Sequence, residues 1–290
     1  MLRANRAGGH GFEYAMSVPL IIYVLVICVL VVCVFLRLTP DAIRQAFADP
    51  AIRNGVYLSL ITTAASTILS MLVAIPAGYV LSRTRFPGHA VVDTVLDLPI
   101  VMPPLVMGLC ILLFFNTAPG RYIDRQLLQD IGWLLGLNLL EEGEGLFLYE
   151  WPGIILVQFI VGCAFAVRVI KSGFDASDPA QEDVAMALGA NRRQTFLKVV
   201  LPGIGPSLVA GVVITWARIF GLFGPILLVC GTMRTRSWDR VGTEIMPTTI
   251  YLEASIGRLN VALVLAAGMI LLSMVTLVIV KRFGGQKYLW

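Results

Sequence analysis

The chain has 290 residues, of which 58% are apolar and only 14% charged, with a mean hydropathy of +0.84. Soluble domains carry roughly 25% charged residues, so there is too little charge here to coat a water-facing surface. The formal charge of +4, made by 18 Arg and 4 Lys against 18 acids, is too small to point to a polyanion partner. These proportions argue against a soluble enzyme, a disordered chain and a nucleic-acid-binding protein, and predict an all-α integral membrane protein.

A bilayer core of about 30 Å needs roughly 20 apolar residues per helix, and six segments meet that requirement. The first runs from Ser17 to Leu36 behind a basic head holding Arg3 and Arg6. Arg37 and Leu38 follow it where a signal peptide would offer a small-x-small cleavage site, so a retained helix is expected. The second covers Val56 to Leu81; its Thr62, Thr63, Ser66 and Thr67 either line a polar surface or act as glue between helices. The third covers Val91 to Phe115 and contains Pro99, Pro103 and Pro104, which remove three backbone donors and should kink or break it. A long connection over 116–152 then carries Glu141, Glu142, Glu144 and Glu150, with an apolar stretch Ile131–Leu140 too short to span.

The fourth span is Gly153 to Ile170, with Arg168 near its end and expected to snorkel to the surface. The fifth is Gly205 to Cys230, interrupted by Gly221, Gly224 and Pro225, and the sixth is Leu259 to Val280. Six spans put both termini on one side. All four lysines fall on that side, with Arg3, Arg6, Arg83, Arg85, Arg192 and Arg193, which predicts cytoplasmic termini. The expected organisation is a head, first helix and outer loop over 1–55, one transmembrane domain over 56–281 and a tail over 282–290.

Cys28, Cys33, Cys110, Cys163 and Cys230 lie in apolar runs without a Cys-x-x-Cys pair, and the only histidines are His10 and His89. No metal site, no cofactor and no catalytic constellation that needs His is expected. Nor is there a P-loop, because none of the four lysines follows a glycine.

The most informative segment is the inner loop between spans four and five. Asp178 is a good N-cap, Pro179 suits the first helical position, Gln181 completes an Asp-x-x-Gln capping box, and Gly189 is placed to end the helix in a left-handed cap. Ala180, Val184, Ala187 and Leu188 recur at helical spacing as an apolar stripe. Two readings of this short helix stand on physical grounds: packing against the membrane bundle, or docking into a groove on a soluble partner.

The loop resembles that of permease subunits of binding-protein-dependent ABC importers of the type I fold. Those carry Glu-Ala-Ala, three residues, Gly, nine residues, then Ile-x-Leu-Pro; here Asp183-Val184-Ala185 is followed by three residues and Gly189, and nine more lead to Val199-Val200-Leu201-Pro202. The similarity covers about Val56 to Val280 and is closest to permeases for molybdate, tungstate and sulfate. Ser82-Arg-Thr-Arg-Phe-Pro-Gly88 is similar to the family's basic turn, and Leu98 to Gly108 to its proline-rich third span. Trp216 to Gly224 resembles an Ala-Arg-x-x-Gly-Glu-Phe-Gly stretch, with Leu222 where the carboxylate is usual.

The resemblance implies six transmembrane helices with a cytoplasmic coupling helix. Asp183, Val184, Ala185, Gly189, Leu201 and Pro202 would couple it to a separate ABC ATPase. It further implies a second permease subunit, taken as an identical chain, and an extracytoplasmic binding protein that delivers an oxyanion. Polyamine, iron and thiamine permeases share the loop motif, and an ATP-independent channel or carrier is the competing class. Pro103, Pro104, Gly221 and Gly224 are candidates for bending along the translocation pathway, or are packing kinks. Arg218, the only ionisable residue well inside a span, is either a waypoint for an anion or the partner of an acid such as Asp97.

Overall fold

The computed structural model describes residues 9–126, 145–231 and 242–283. The basic head, the Ile131–Leu140 stretch with Glu141, Glu142 and Glu144, Arg234, Arg236, Arg240 and all but the start of the tail lie outside the described residues. All regular elements among the described residues are helical.

Helix α1 (Gly9–Leu36) is apolar all round, and its described side chains lie largely exposed, as suits a helix that meets lipid. The expected polar connection instead holds an amphipathic helix α2 (Pro40–Ala48), nine residues long and so too short for a span pattern. Thr39 Oγ1 caps it by accepting from the Ala42 N–H at 3.3 Å, and Ala42 and Ala46 face inward. Asp49 then accepts from the Ala51 N–H at 2.9 Å and starts α3 (Pro50–Arg83).

At 34 residues, α3 is about 51 Å long at 1.5 Å per residue. Its buried face is a run of small residues at helical spacing, from Gly55 and Ser59 through Ser66 and Ser70 to Ala74 and Gly78. That stripe lets α6 (Trp151–Ala176) approach closely: a Cβ on Gly78 would stand 3.0 Å from the Lys171 backbone nitrogen. Between the two helices Ser66 Oγ donates to the Ile155 carbonyl at 3.1 Å and to Gln158 Oε1 at 3.2 Å, while Gln158 Nε2 donates to Thr63 Oγ1 at 3.3 Å. Thr63 and Ser66 are therefore glue between helices, while the buried Thr62 and Thr67 hydroxyls donate to carbonyls within α3 itself.

The third span is not one helix. It divides into α4 (His89–Val101) and α5 (Pro104–Phe115), bent by 112° across Met102 and Pro103, while Pro99 stays inside α4. The expected fifth span divides too. After the short loop helix α7 (Ala180–Ala187), α8 (Arg192–Gly203) and α9 (Gly205–Phe220) meet at 69°, and residues 221–223 separate α9 from α10 (Gly224–Cys230). Helices α11 (Met246–Ser255) and α12 (Leu259–Phe283) complete the described chain. Four helices (α1, α3, α6 and α12) are long and apolar enough to cross a membrane, and the count reaches six if each bent pair is one span.

Three apolar clusters fill the bundle. One joins Met107 and Ile111 of α5 to Ile154 and Val157 of α6 and to Ile226 and Val229 of α10. The second, toward the other end of α6, joins Met71 and Ala74 to Ile170, Phe174, Val200 and Ile204. The third seats Ala46 of α2 and Ile52 of α3 against Phe220, Met246 and Val261.

Candidate coupling segment and broken-helix contact

Helix α7 begins where Asp178 Oδ1 accepts the Ala180 N–H at 2.9 Å. The capping box anticipated with Gln181 does not form: the Gln181 N–H meets the Asp178 carbonyl instead, at 3.2 Å. At the other end Gly189 has φ +94°, in the left-handed region that a side chain would strain. The Gly189 N–H reaches the Met186 carbonyl at 3.0 Å and the Ala190 N–H reaches the Ala185 carbonyl at 3.1 Å, which is the Schellman pair. The chain then restarts one turn later under Asn191, whose side chain forms a reciprocal capping box with Gln194.

No residue of α7 is fully buried. Val184 and Leu188 are 59% and 84% exposed, and Asp183 and Gly189 are exposed as well, so the apolar stripe points away from the bundle. Ala185 is half-buried, and α7 rests on the Phe196–Val200 turn of α8, just before Leu201 and Pro202. Both halves of the loop motif thus come together at one end of the molecule, with Pro202 immediately ahead of the 69° bend.

The inward contact belongs to a residue that the sequence reading passed over. Glu182 accepts from Tyr79 Oη at 2.9 Å and from Arg83 Nε at 2.7 Å, with both charged side chains 13% exposed. The same guanidinium donates to the Phe174 carbonyl at 2.9 Å, the Ser177 carbonyl at 3.2 Å and Ser177 Oγ at 2.6 Å. The Tyr79 ring meets Phe174 and Phe196 edge-on, with centroids 5.4 and 5.0 Å apart. A signal for this was present in the basic turn that holds Arg83, but its partners lie more than ninety residues on.

The two helix breaks also meet. A Cβ on Gly108 of α5 would stand 2.6 Å from the Pro225 Cα of α10, and one on Gly224 would stand 3.0 Å from Leu105. Backbone therefore touches backbone at the starts of α5 and α10. Pro103, Pro104 and Gly221 are exposed beside this contact in sequence, whereas Gly224 is buried in it. Leu222 is 5% exposed among Met107, Ile111 and Ile226, so the position where a carboxylate is usual is here part of an apolar core.

The arginines exchange their expected roles. Arg168 does not snorkel; it is held by Asp97 through Nε and Nη2, donates from Nη1 to Asp93 Oδ1 at 2.9 Å, and so ties α4 to α6. Asp97 is thereby occupied, and Arg218 is not its partner. Arg218 is exposed on α9 with its guanidinium carbon 5.0 Å from the centre of the Phe165 ring, and it forms no ion pair among the described residues. Among the described residues no group of three or more His, Cys, Asp or Glu is placed to hold a metal.

Comparison with known proteins gives the same picture. The molybdate/tungstate transport system permease protein of Thermococcus kodakarensis is 30% identical over 217 residues, covering 74% of this chain and 75% of its own. A sulfate transport system permease protein of Synechococcus elongatus is 31% identical over 233 residues, covering 80% and 73%. The fold is shared with a bacterial ABC transporter involved in import of the acidic polysaccharide alginate, at a TM-score of 0.67, 20% identity and 93% coverage of both chains. It is shared also with the inward-facing MetNI methionine ABC transporter, at 0.55, 19% identity, 79% coverage of this chain and 93% of that one. Residues 70–285 match the family of binding-protein-dependent transport system inner membrane components, and the chain belongs to it.

Proposed function

We propose that this chain is the membrane-spanning permease of an ATP-driven importer for a tetrahedral oxyanion of the molybdate, tungstate or sulfate kind. In this reading both termini and α7 are cytoplasmic. A second copy of the chain completes the pathway, two separate ATPase subunits bind from below, and a binding protein delivers the ion from the other side. The substrate class rests on the activities of the relatives, which are permeases for molybdate and tungstate and for sulfate. A guanidinium on a membrane helix with no ion pair among the described residues is costly in lipid, so the exposed face of α9 at Arg218 must meet water or protein, and a water-filled pathway there would offer a passing anion a cationic waypoint.

The observation that carries the coupling role is the division of α7 into two faces: Glu182 tied inward and Val184 and Leu188 presented outward. A short helix that exposes leucine and valine at its tip while a charged pair secures its back suits docking into an apolar groove. Asp183, Val184 and Ala185 would form that docking face, and Gly189 with Leu201-Pro202 would fix its position. The test is a cysteine at Val184 with the ATPase and permease expressed together. Disulfide capture of the ATPase subunit is the expected result, and its absence across a scan of α7 defeats the reading. Gly189→Pro, whose fixed negative φ cannot replace +94°, should leave ATP hydrolysis uncoupled from uptake.

A further inference from the structure

We infer that Arg83 is the positioning residue that makes α7 a rigid extension of α3 and α6, so that displacement of the coupling segment is delivered to the two central helices and not absorbed in the linker beside it. This rests on α7 being the ATPase contact. It assigns a residue outside the loop motif to the transmission step.

The argument begins with what else could hold α7. The segment has no fully buried residue and its apolar side chains face away, so packing alone attaches it weakly. Its entry linker, Ser177 to Pro179, is extended at Ser177 and would flex if left free. The Arg83 guanidinium closes that joint. It sits in the last turn of α3, reaches Glu182 on α7, and takes both the last-turn carbonyl of α6 at Phe174 and the carbonyl and hydroxyl of the linker residue Ser177. Three elements therefore converge on one planar, permanently charged group whose fork fixes direction as well as distance. Tyr79, one turn earlier on α3, holds the second Glu182 oxygen. Its ring is clasped between Phe174 at the end of α6 and Phe196 on the segment that leads away from α7.

Behind this joint there is little slack. Gly78 brings the α3 backbone against Ile170 and Lys171 of α6, and Gly173 brings the α6 backbone against Ser207 of α9, where an added Cβ would stand 2.5 Å from the Ser207 Cβ. A pull on Glu182 is thus passed to α3 and α6 together, and from α6 to α9, which carries Arg218.

The test uses the full transporter in liposomes and reads the ratio of ATP hydrolysed to sulfate, molybdate or tungstate taken up, since a merely structural loss lowers both rates together. Arg83→Lys keeps the charge without the fork, Glu182→Gln keeps the shape without the charge, and Tyr79→Phe removes one bond. Each should raise the ratio, Arg83→Ala most, by at least the roughly fivefold that marks the lower end of typical coupling between sites. The Val184 cysteine is carried in parallel. Capture of the ATPase by the variants with an unchanged ratio overturns the inference alone. Failure of capture in the otherwise unaltered protein overturns the parent reading instead. If Arg83→Ala does not assemble, Glu182→Gln and Tyr79→Phe decide, and an unchanged ratio in both counts as refutation.

Discussion

The coupling segment and the paired helix breaks are attached to the bundle by opposite means. Helix α7 hangs on directed polar bonds around one guanidinium, with its apolar residues turned outward. The starts of α5 and α10 are pressed together by apolar contact, the Gly108 backbone against Pro225 and Gly224 against the Leu105 side chain, and no polar bond is needed. Directed bonds hold an orientation while leaving the outer surface free for another molecule. Close backbone contact excludes lipid and water and holds two bent helices at a fixed separation. The first arrangement suits a part that must be moved, and the second suits a part that others move around.

This contrast can be broken by substitution, beginning with the largest effect. Gly108→Val places branched carbons where Pro225 leaves no room. It should destabilise the protein by about 3 kcal/mol, near the upper end for overpacking, read as a lowered thermal midpoint in detergent. Arg168→Ala leaves Asp93 and Asp97 facing each other at the only ion-paired joint between α4 and α6 among the described residues. A loss of about 1–2 kcal/mol is expected for this partly exposed group, and a joint of pure packing would show less. Gly189→Ala forces a side chain into the left-handed region and should cost about 1 kcal/mol, seen as roughly fivefold faster amide exchange at the end of α7. Lys171→Ala removes an exposed pair with Asp175 four residues on, at 3.0 Å, and should change stability by no more than about 0.5 kcal/mol. A larger loss there would mean that the end of α6 depends on surface charge more than on the Arg83 joint.

The parts of this molecule legible in its sequence are those fixed by local chemistry. Gly189 had to end a helix and Pro103 and Pro104 had to interrupt one, and the structure agrees at both; of the six expected spans, four form single helices long and apolar enough to cross a membrane, and the count reaches six if each bent pair is one span. One expectation failed and one residue was passed over for the same reason, that a partner distant in sequence was decisive. Arg168 looked like a terminal residue free to reach the surface, but Asp93 and Asp97 lie one turn apart on α4 and fold back onto it. Glu182 carried no expectation of its own, and only the arrival of Arg83 and Tyr79 from α3 distinguishes it from Asp183. Gly221, Gly224 and Pro225 pointed to a kink or break, and the chain does break there, leaving α9 a shorter helix paired with α8. The amphipathic α2 went unseen because a nine-residue helix with two buried alanines leaves almost no hydropathy signal.

The bare contact between Gly108 and Pro225 limits which substitutions the starts of these two helices can accept. Bulk cannot be introduced at that seam, whereas Pro103, Pro104 and Gly221 beside it are already open to their surroundings. Libraries randomised at those three positions should retain expression, and those randomised at the seam should return mostly glycine.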